Sequence, residues 1–374
     1  MTERIPVGIY PFQAELLPLV RNFEALQDKY ALKKVMAFQG SGLIGRDVGY
    51  ACNQPDTGII AEALNDDTLK DIDYLLIINP LKDQEKTDEK LIDAARKAIQ
   101  LNKKVRFYSN LSDNLSELVF YLKVKYPDYV SLSFGEETSE ESVYGSVFYY
   151  KRPEVPVILV GSLVENPDAL EILCYLQKNF VEQGIKTLVF CKTPGGALFG
   201  FEDLTSILNM TTFTEALKVE EINRHANNLV KKNQPDLILV ESTDAVMRFN
   251  DITPNGFGIQ TYMLTQAFQP DYLICCVPFE LAVPEMIEAL SRDFEVRLGT
   301  PIHAVQVSNI VVDSAENLQS HLMSYAYVPT AYSKAKISGS DSAGIPIYDI
   351  VGNQSSLLFE YISNLLGINY EREQ

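Results

Sequence analysis

The chain has 374 residues, 46 % of them hydrophobic and 22 % charged, enough to build two buried cores rather than one. Its 32 Lys+Arg against 50 Asp+Glu give 32 − 50 = −18, which excludes a general nucleic-acid binder and a protein held to anionic lipid by basic patches. No uninterrupted apolar run reaches the roughly 18 residues of a membrane helix, and the N-terminal MTERIPVGIYPF has no signal-peptide core. In the first part, strand-like runs alternate with amphipathic stretches. Residues 6–10 (PVGIY) read as a strand and 14–26 as a helix, with apolar positions 16, 17, 19, 20, 23 and 26. Residues 34–38 (KVMAF) are again strand-like. The continuous apolar run DYLLIIN at 73–79 suits a buried parallel strand. Residues 88–101 predict a helix with acids at its start and Lys/Arg towards its end, and KVRFY at 104–108 predicts the next strand. This alternation predicts a parallel α/β sheet over residues 1–130.

The pattern breaks at 131–153, where SLSFGEETSEESVYGSVFYYKRP is polar, acidic and Tyr-rich; it reads as a linker or excursion with a short strand at 146–150. A second α/β domain is expected over 154–374. It opens with a buried strand at 157–160 and a helix at 167–182 closed by Gly184, then a strand at 187–191. A long helix at 214–232, strands at 237–240 and 272–277, a helix at 280–294 and strands at 302–307 and 309–312 follow. The Ser/Gly-rich KISGSDSAG and a helix at 354–366 end the chain. Charge divides with the domains: residues 1–130 carry 17 basic and 19 acidic groups, a net of −2, and 131–374 carry 15 and 31, a net of −16. A nucleotide in the second domain would sit in an adverse field unless local groups reversed it. The five cysteines at 52, 174, 191, 275 and 276 lie mostly in apolar runs and read as the reduced thiols of a cytoplasmic protein. Three scattered histidines make a zinc site an unsuitable reading, and no metal is predicted.

Four spots carry the vocabulary of ligand binding. Gly40, Gly42 and Gly45 form a G-x-G-x-x-G after the KVMAF strand, but the motif follows the second strand, and RDVGYACNQPDTG makes a poor helix. A structural turn competes there with cofactor binding. The strand at 157–160, Gly161 and Ser162, a loop and a helix form the skeleton of a phosphate-binding loop. Overlaying G-x-x-x-x-G-K-[ST] from Gly161 puts Asn166 at the second glycine, Pro167 at the lysine and Asp168 at the Ser/Thr. Nothing then neutralises β/γ-phosphates, while Glu165 and Asp168 repel them. Asn166 can instead cap the helix, with Pro167 at its first position. Lys192, Thr193 and Gly195 end one predicted strand, and Glu241, Ser242 and Asp244 end another, where ligands of open α/β sheets collect. An acid at such a place holds magnesium or water in nucleotide hydrolases, or pins the next turn.

The order of features resembles a bacterial family of uncharacterised proteins with a Rossmann-like N-terminal domain and a P-loop-NTPase-like C-terminal domain. The resemblance rests on Gly161 after its strand, TPGGALFG at 193–200, PDLILVES at 235–242, NGFGIQTYMLTQAFQPDYLICC at 255–276 and RDVGYA with its preceding glycines. More narrowly, the chain resembles the clostridial peptide maturation system proteins. That resemblance implies an accessory role in making a ribosomally synthesised, modified peptide, beside a precursor or leader peptide and a radical SAM maturase. The expected protein is thus α/β with a degenerate Walker A loop, non-hydrolysing and without a cofactor. Its crevice is formed by Gly161, Ser162, Asn166, Asp168, Lys192, Thr193, Gly195, Glu241, Ser242 and Asp244, and basic leader segments suit its charge. The alternative is an enzyme using a nucleotide with Mg²⁺, in which Lys192 reaches the anion and Glu241 holds the metal or orients water. The sequence leaves a homodimer open.

Overall fold

The computed structural model describes residues 4–79, 85–108, 113–132, 150–193, 195–337, 344–351 and 355–368. The acidic run and all but the last residue of the short strand expected at 146–150 fall within 133–149, outside the described residues, and Tyr150 itself is not in a strand; Pro194 and most of KISGSDSAG are likewise outside the described residues. The chain divides into two compact units, Met1–Ser146 with Thr193–Asp203, and Val147–Lys192 with Leu204–Gln374.

Unit 1 is built on six strands: β1 (Ile5–Tyr10), β2 (Tyr30–Ala37), β3 (Ala61–Ala63), β4 (Tyr74–Ile78), β5 (Lys104–Tyr108) and β6 (Val130–Leu132). Their order is β3-β2-β1-β4-β5-β6 and every pairing is parallel. This is the 3-2-1-4-5-6 order of the Rossmann fold. The apolar run at β4 is buried from Leu75 to Ile78 because sheet neighbours flank it and layers cover both faces. Leu91 and Ala95 of helix Glu85–Gln100 pack on Leu75, Ile77 and Phe107. The single helix expected over 14–26 is broken into Ala14–Leu16, Leu17–Arg21 and Phe23–Leu26. Pro18 has no N–H to continue the ladder from the turn before it, and Asn22, at φ −94° and ψ 5°, closes the second piece with its backbone N–H at 3.1 Å and its side-chain amide at 2.9 Å both donating to the Pro18 carbonyl. Helix Asp113–Lys125 was not legible as a period, since it is apolar on both faces. A two-residue strand, Glu202–Asp203 (β9), lies in the segment that clusters with this unit. In that segment Phe199 meets Phe23 edge-on at 5.8 Å and the Leu198 carbonyl accepts from the Gln27 amide.

Unit 2 contains β7 (Val157–Ser162), β8 (Thr187–Cys191), β10 (Leu237–Ala245), β11 (Tyr272–Pro278), β12 (Ala304–Ser308) and β15 (Ile347–Tyr348), with β13 (Ile310–Val312) and β14 (Tyr325–Tyr327) forming a separate antiparallel pair. Within this unit the sheet runs β15-β12-β11-β7-β10-β8, all parallel. β7, wholly buried, is central. Helix Asp168–Glu182 follows it, so the unit opens with the strand–loop–helix entry of P-loop folds. Glu215–Asn233 begins at Thr214, whose hydroxyl accepts from Leu217 N, and Pro284–Leu298 begins with proline and ends at Gly299 in the left-handed region. Phe190, Val240, Leu264, Phe268 and Phe294 belong to one buried core.

Candidate functional site

The carboxyl ends of β7, β8 and β10 bring together eight of the ten crevice residues expected from sequence. Gly161, Ser162, Asn166, Asp168, Lys192, Glu241, Ser242 and Asp244 all lie in unit 2. Thr193 and Gly195 cluster with unit 1, where a Cβ on Gly195 would meet Ile78 and Leu19 at 3.0–3.1 Å. Gly161 has a packing reason. A Cβ there would lie 2.4 Å from Val246 Cγ1 and 3.2 Å from Ser242 Cβ, so only glycine lets β7 and the end of β10 approach this closely.

The loop after Gly161 is closed by its own side chains. Leu163 N donates to the Cys276 carbonyl at 2.9 Å, and Val164 is fully buried against Ile310 and Val312. Asn166 ties both ends of the turn: its Oδ1 accepts from Asp168 N at 2.8 Å, and its amide donates to Val164 O at 2.8 Å and Ser308 Oγ at 3.3 Å. The N-cap position is Pro167, not Asn166, and makes no side-chain cap bond; Asn166 sits one residue earlier and closes a turn onto Asp168 N instead. A backbone cradle for phosphate needs free N–H groups and a positive field. Here the field is negative. Asp168, Glu171 and Glu241 are all buried, and burial raises the Cys174 thiol pKa well above its ordinary value with Glu171 and Glu241 adding to the shift. Burial does the same to Cys276, helped by Asp168, Cys275 and Glu241. Both thiols stay protonated. Glu171 was not singled out from sequence, because an acid within LEIL reads as solvent-facing.

Lys192 is engaged by two acids. Its Nζ pairs with Glu165, and its backbone N donates to Glu241 at 3.1 Å. Ser242 and Asp244 serve the next turn. The register of β10 against β7 shifts between Glu241 and Ala245, which turns these side chains towards helix Ile259–Phe268. Asp244 accepts from Thr261 N at 2.9 Å, Thr261 Oγ1 at 2.6 Å and Gln260 N at 3.2 Å, while Ser242 Oγ donates to the Asp244 carbonyl at 2.7 Å. Burial holds the Asp244 carboxyl above its ordinary 3.8, against the opposing pull of those hydrogen bonds and the Lys192 charge. The folded state therefore holds this proton more tightly than the unfolded chain. Its contribution to stability is present below 3.8 and is lost as pH rises through the raised folded value. Asp244→Asn is expected to flatten that slope, so the gap in urea midpoint between variant and parent should shift in the variant's favour from about pH 4 to about pH 6. A pH-independent gap would contradict this.

In unit 1, Gly40, Gly42 and Gly45 occupy exposed turns after β2, each with positive φ and open space where a Cβ would project. The next element is the five-residue 3-10 helix Val48–Cys52, too short to focus a helix dipole. The first βα connection, where a pyrophosphate would approach, instead carries buried Pro11 and Phe12. Among the described residues, no three His, Cys, Asp or Glu side chains converge to hold a metal, and no helix is long and apolar enough to cross a membrane.

Fold and site define a two-unit parallel α/β protein, Rossmann-like in its first sheet and P-loop-like in its second. No protein-family model and no curated protein matches the chain. Among solved structures 25 chains match. The crystal structure of a DUF1611 family protein from Anabaena variabilis ATCC 29413 is 12 % identical, covers 96 % of this chain and 100 % of that chain, and superposes with a TM-score of 0.58. The fold is shared along nearly the whole length. The structure of chloroplast FtsY from Physcomitrella patens is 15 % identical over 60 % of this chain and 67 % of that chain; at a TM-score of 0.28, no argument rests on it.

Proposed function

We propose that the chain is a non-hydrolysing accessory protein in the maturation of a ribosomally synthesised, post-translationally modified peptide. Its second unit is the acidic scaffold that receives basic segments of a precursor or of the maturing enzyme. One observation carries the non-hydrolysing half of this reading: the loop at Gly161–Asp168 is closed on itself, with Val164 packed inward and Asn166 tying its ends. Pro167 and Asp168 stand where a phosphate-binding lysine and hydroxyl belong, and the nearby Lys192 ammonium pairs with Glu165. The peptide half rests on the sequence resemblance and on the second unit's 15 basic against 25 acidic groups, 15 − 25 = −10, which suits a cationic partner.

Calorimetric titration with Mg-ATP, Mg-GTP and NAD is expected to show no binding. A Lys/Arg-rich leader peptide is expected to bind, and to weaken as salt shortens the Debye length from about 10 Å at 0.1 M. Micromolar nucleotide binding abolished by Lys192→Ala would replace this reading with a phosphate-dependent enzyme. Failure both to bind the leader and to alter its modification by a radical SAM maturase would remove the peptide role.

A further inference from the structure

Helix Asp113–Lys125 has two apolar faces. Leu115, Val119 and Leu122 point into the core of unit 1. On the opposite side Phe120, Tyr121 and Val124 are 64 %, 55 % and 66 % exposed, with Leu118 at their margin. At about 100° per residue, these three side chains fall within one stripe centred directly away from the core. Surface helices are normally polar there. A contiguous exposed apolar stripe marks an interaction site.

The charges along the stripe select the partner. Glu117 and Lys125 lie on the same side of the helix, each four positions from Tyr121. The Lys125 ammonium sits 5.7 Å from the Tyr121 ring and 5.4 Å from the Tyr126 ring, which keeps its charge beside the apolar strip. When two such helices meet antiparallel about a two-fold axis at Tyr121, Glu117 lies level with the second copy's Lys125, and Lys125 with its Glu117. Both charge pairs are then of opposite sign, whereas parallel alignment sets like against like. We propose that this face is an isologous contact between two copies of the chain.

Sedimentation velocity on the full chain from about 1 to about 200 µM should reveal a reversible dimer. Phe120→Glu with Val124→Glu should raise its dissociation constant by roughly a hundredfold, since two apolar contacts on each copy are replaced by charge. Glu117→Lys alone, and Lys125→Glu alone, should each weaken self-association, because like charges then meet twice. Mixing those two single variants should restore a heterodimer, a result that loss of folding cannot mimic. All five native cysteines are buried, so Tyr121→Cys supplies an accessible thiol near the axis, and a short bis-maleimide should link it to its twin. A chain monomeric up to the highest concentration would overturn the proposal. A dimer whose affinity ignores the Phe120, Val124, Glu117 and Lys125 changes would overturn it equally.

Discussion

Gly161→Val is expected to destabilise unit 2 by about 3 kcal/mol or more, through overpacking in a site with no slack. β7 is buried at all six positions, and Gly161 pairs with Cys275 of β11 on one side. On its other side a bare Cβ already comes within 2.4 Å of Val246 Cγ1 and 3.2 Å of Ser242 Cβ. Valine adds two further carbons to that overlap. Ser242 cannot give way, since its hydroxyl is held to the Asp244 carbonyl and to Thr261. Val246 is 2 % exposed and packs in the main core of unit 2, so it has no open direction to rotate into. Urea unfolding should show the midpoint falling with little change in slope. Val246→Ala should relieve much of the strain of Gly161→Ala and less of that of Gly161→Val, giving a coupling that distant sites do not show. A loss below about 1 kcal/mol for the valine variant would mean that β7 and β10 stand further apart.

The same glycine shows how far the site could be read from sequence. As a letter after VILV, Gly161 signalled close approach of something, and a phosphate and a side chain are equivalent at that level. Only the fold brings in Val246, 85 positions on. The absence of lysine and Ser/Thr at Pro167 and Asp168 was legible, because it depends on residue type at fixed spacing. The Lys192–Glu165 pair and the Asp244–Thr261 network were not, because they join loops that meet only once the sheet is ordered.

Fold legibility followed similar lines. DYLLIIN and YLICCV announced buried parallel strands through unbroken apolar runs bounded by polar residues. The helices with one polar face were equally plain. Asp113–Lys125 escaped because Leu118, Phe120, Tyr121 and Val124 fill the positions where a polar face would set the period. The property that hid the helix is the one that makes its outer face a contact surface. At 14–26 the apolar spacing was right, yet Pro18 lacks a donor and Asn22 leaves helical φ/ψ at the boundary of two short helices, backbone effects that periodicity does not sense.

Gly258→Ala should cost roughly 3–5 kcal/mol, from a left-handed backbone and a clash with main chain together. The turn Asn255-Gly256-Phe257-Gly258 holds four successive residues at φ of 48°, 67°, 58° and 71°. Two of them are not glycine, so the turn already stores strain that its surroundings must hold. Asp244 does part of this, accepting from Gln260 and Thr261 at the start of the helix that follows. At Gly258 a Cβ would lie 2.6 Å from the Val246 carbonyl oxygen, 2.8 Å from its carbon and 2.9 Å from Met247 Cα. These are backbone atoms, and no rotamer change moves them. Gly256→Ala offers the internal control: its φ of +67° carries the same conformational penalty, but its nearest neighbour is the Asp244 side chain at 3.4 Å. It should therefore lose only about 1–2 kcal/mol. Thermal unfolding of the pair separates conformational strain from collision with the chain. Equal losses would mean that the turn can shift away from β10, and that the Asp244 cap, rather than the close approach at Gly258, fixes its position.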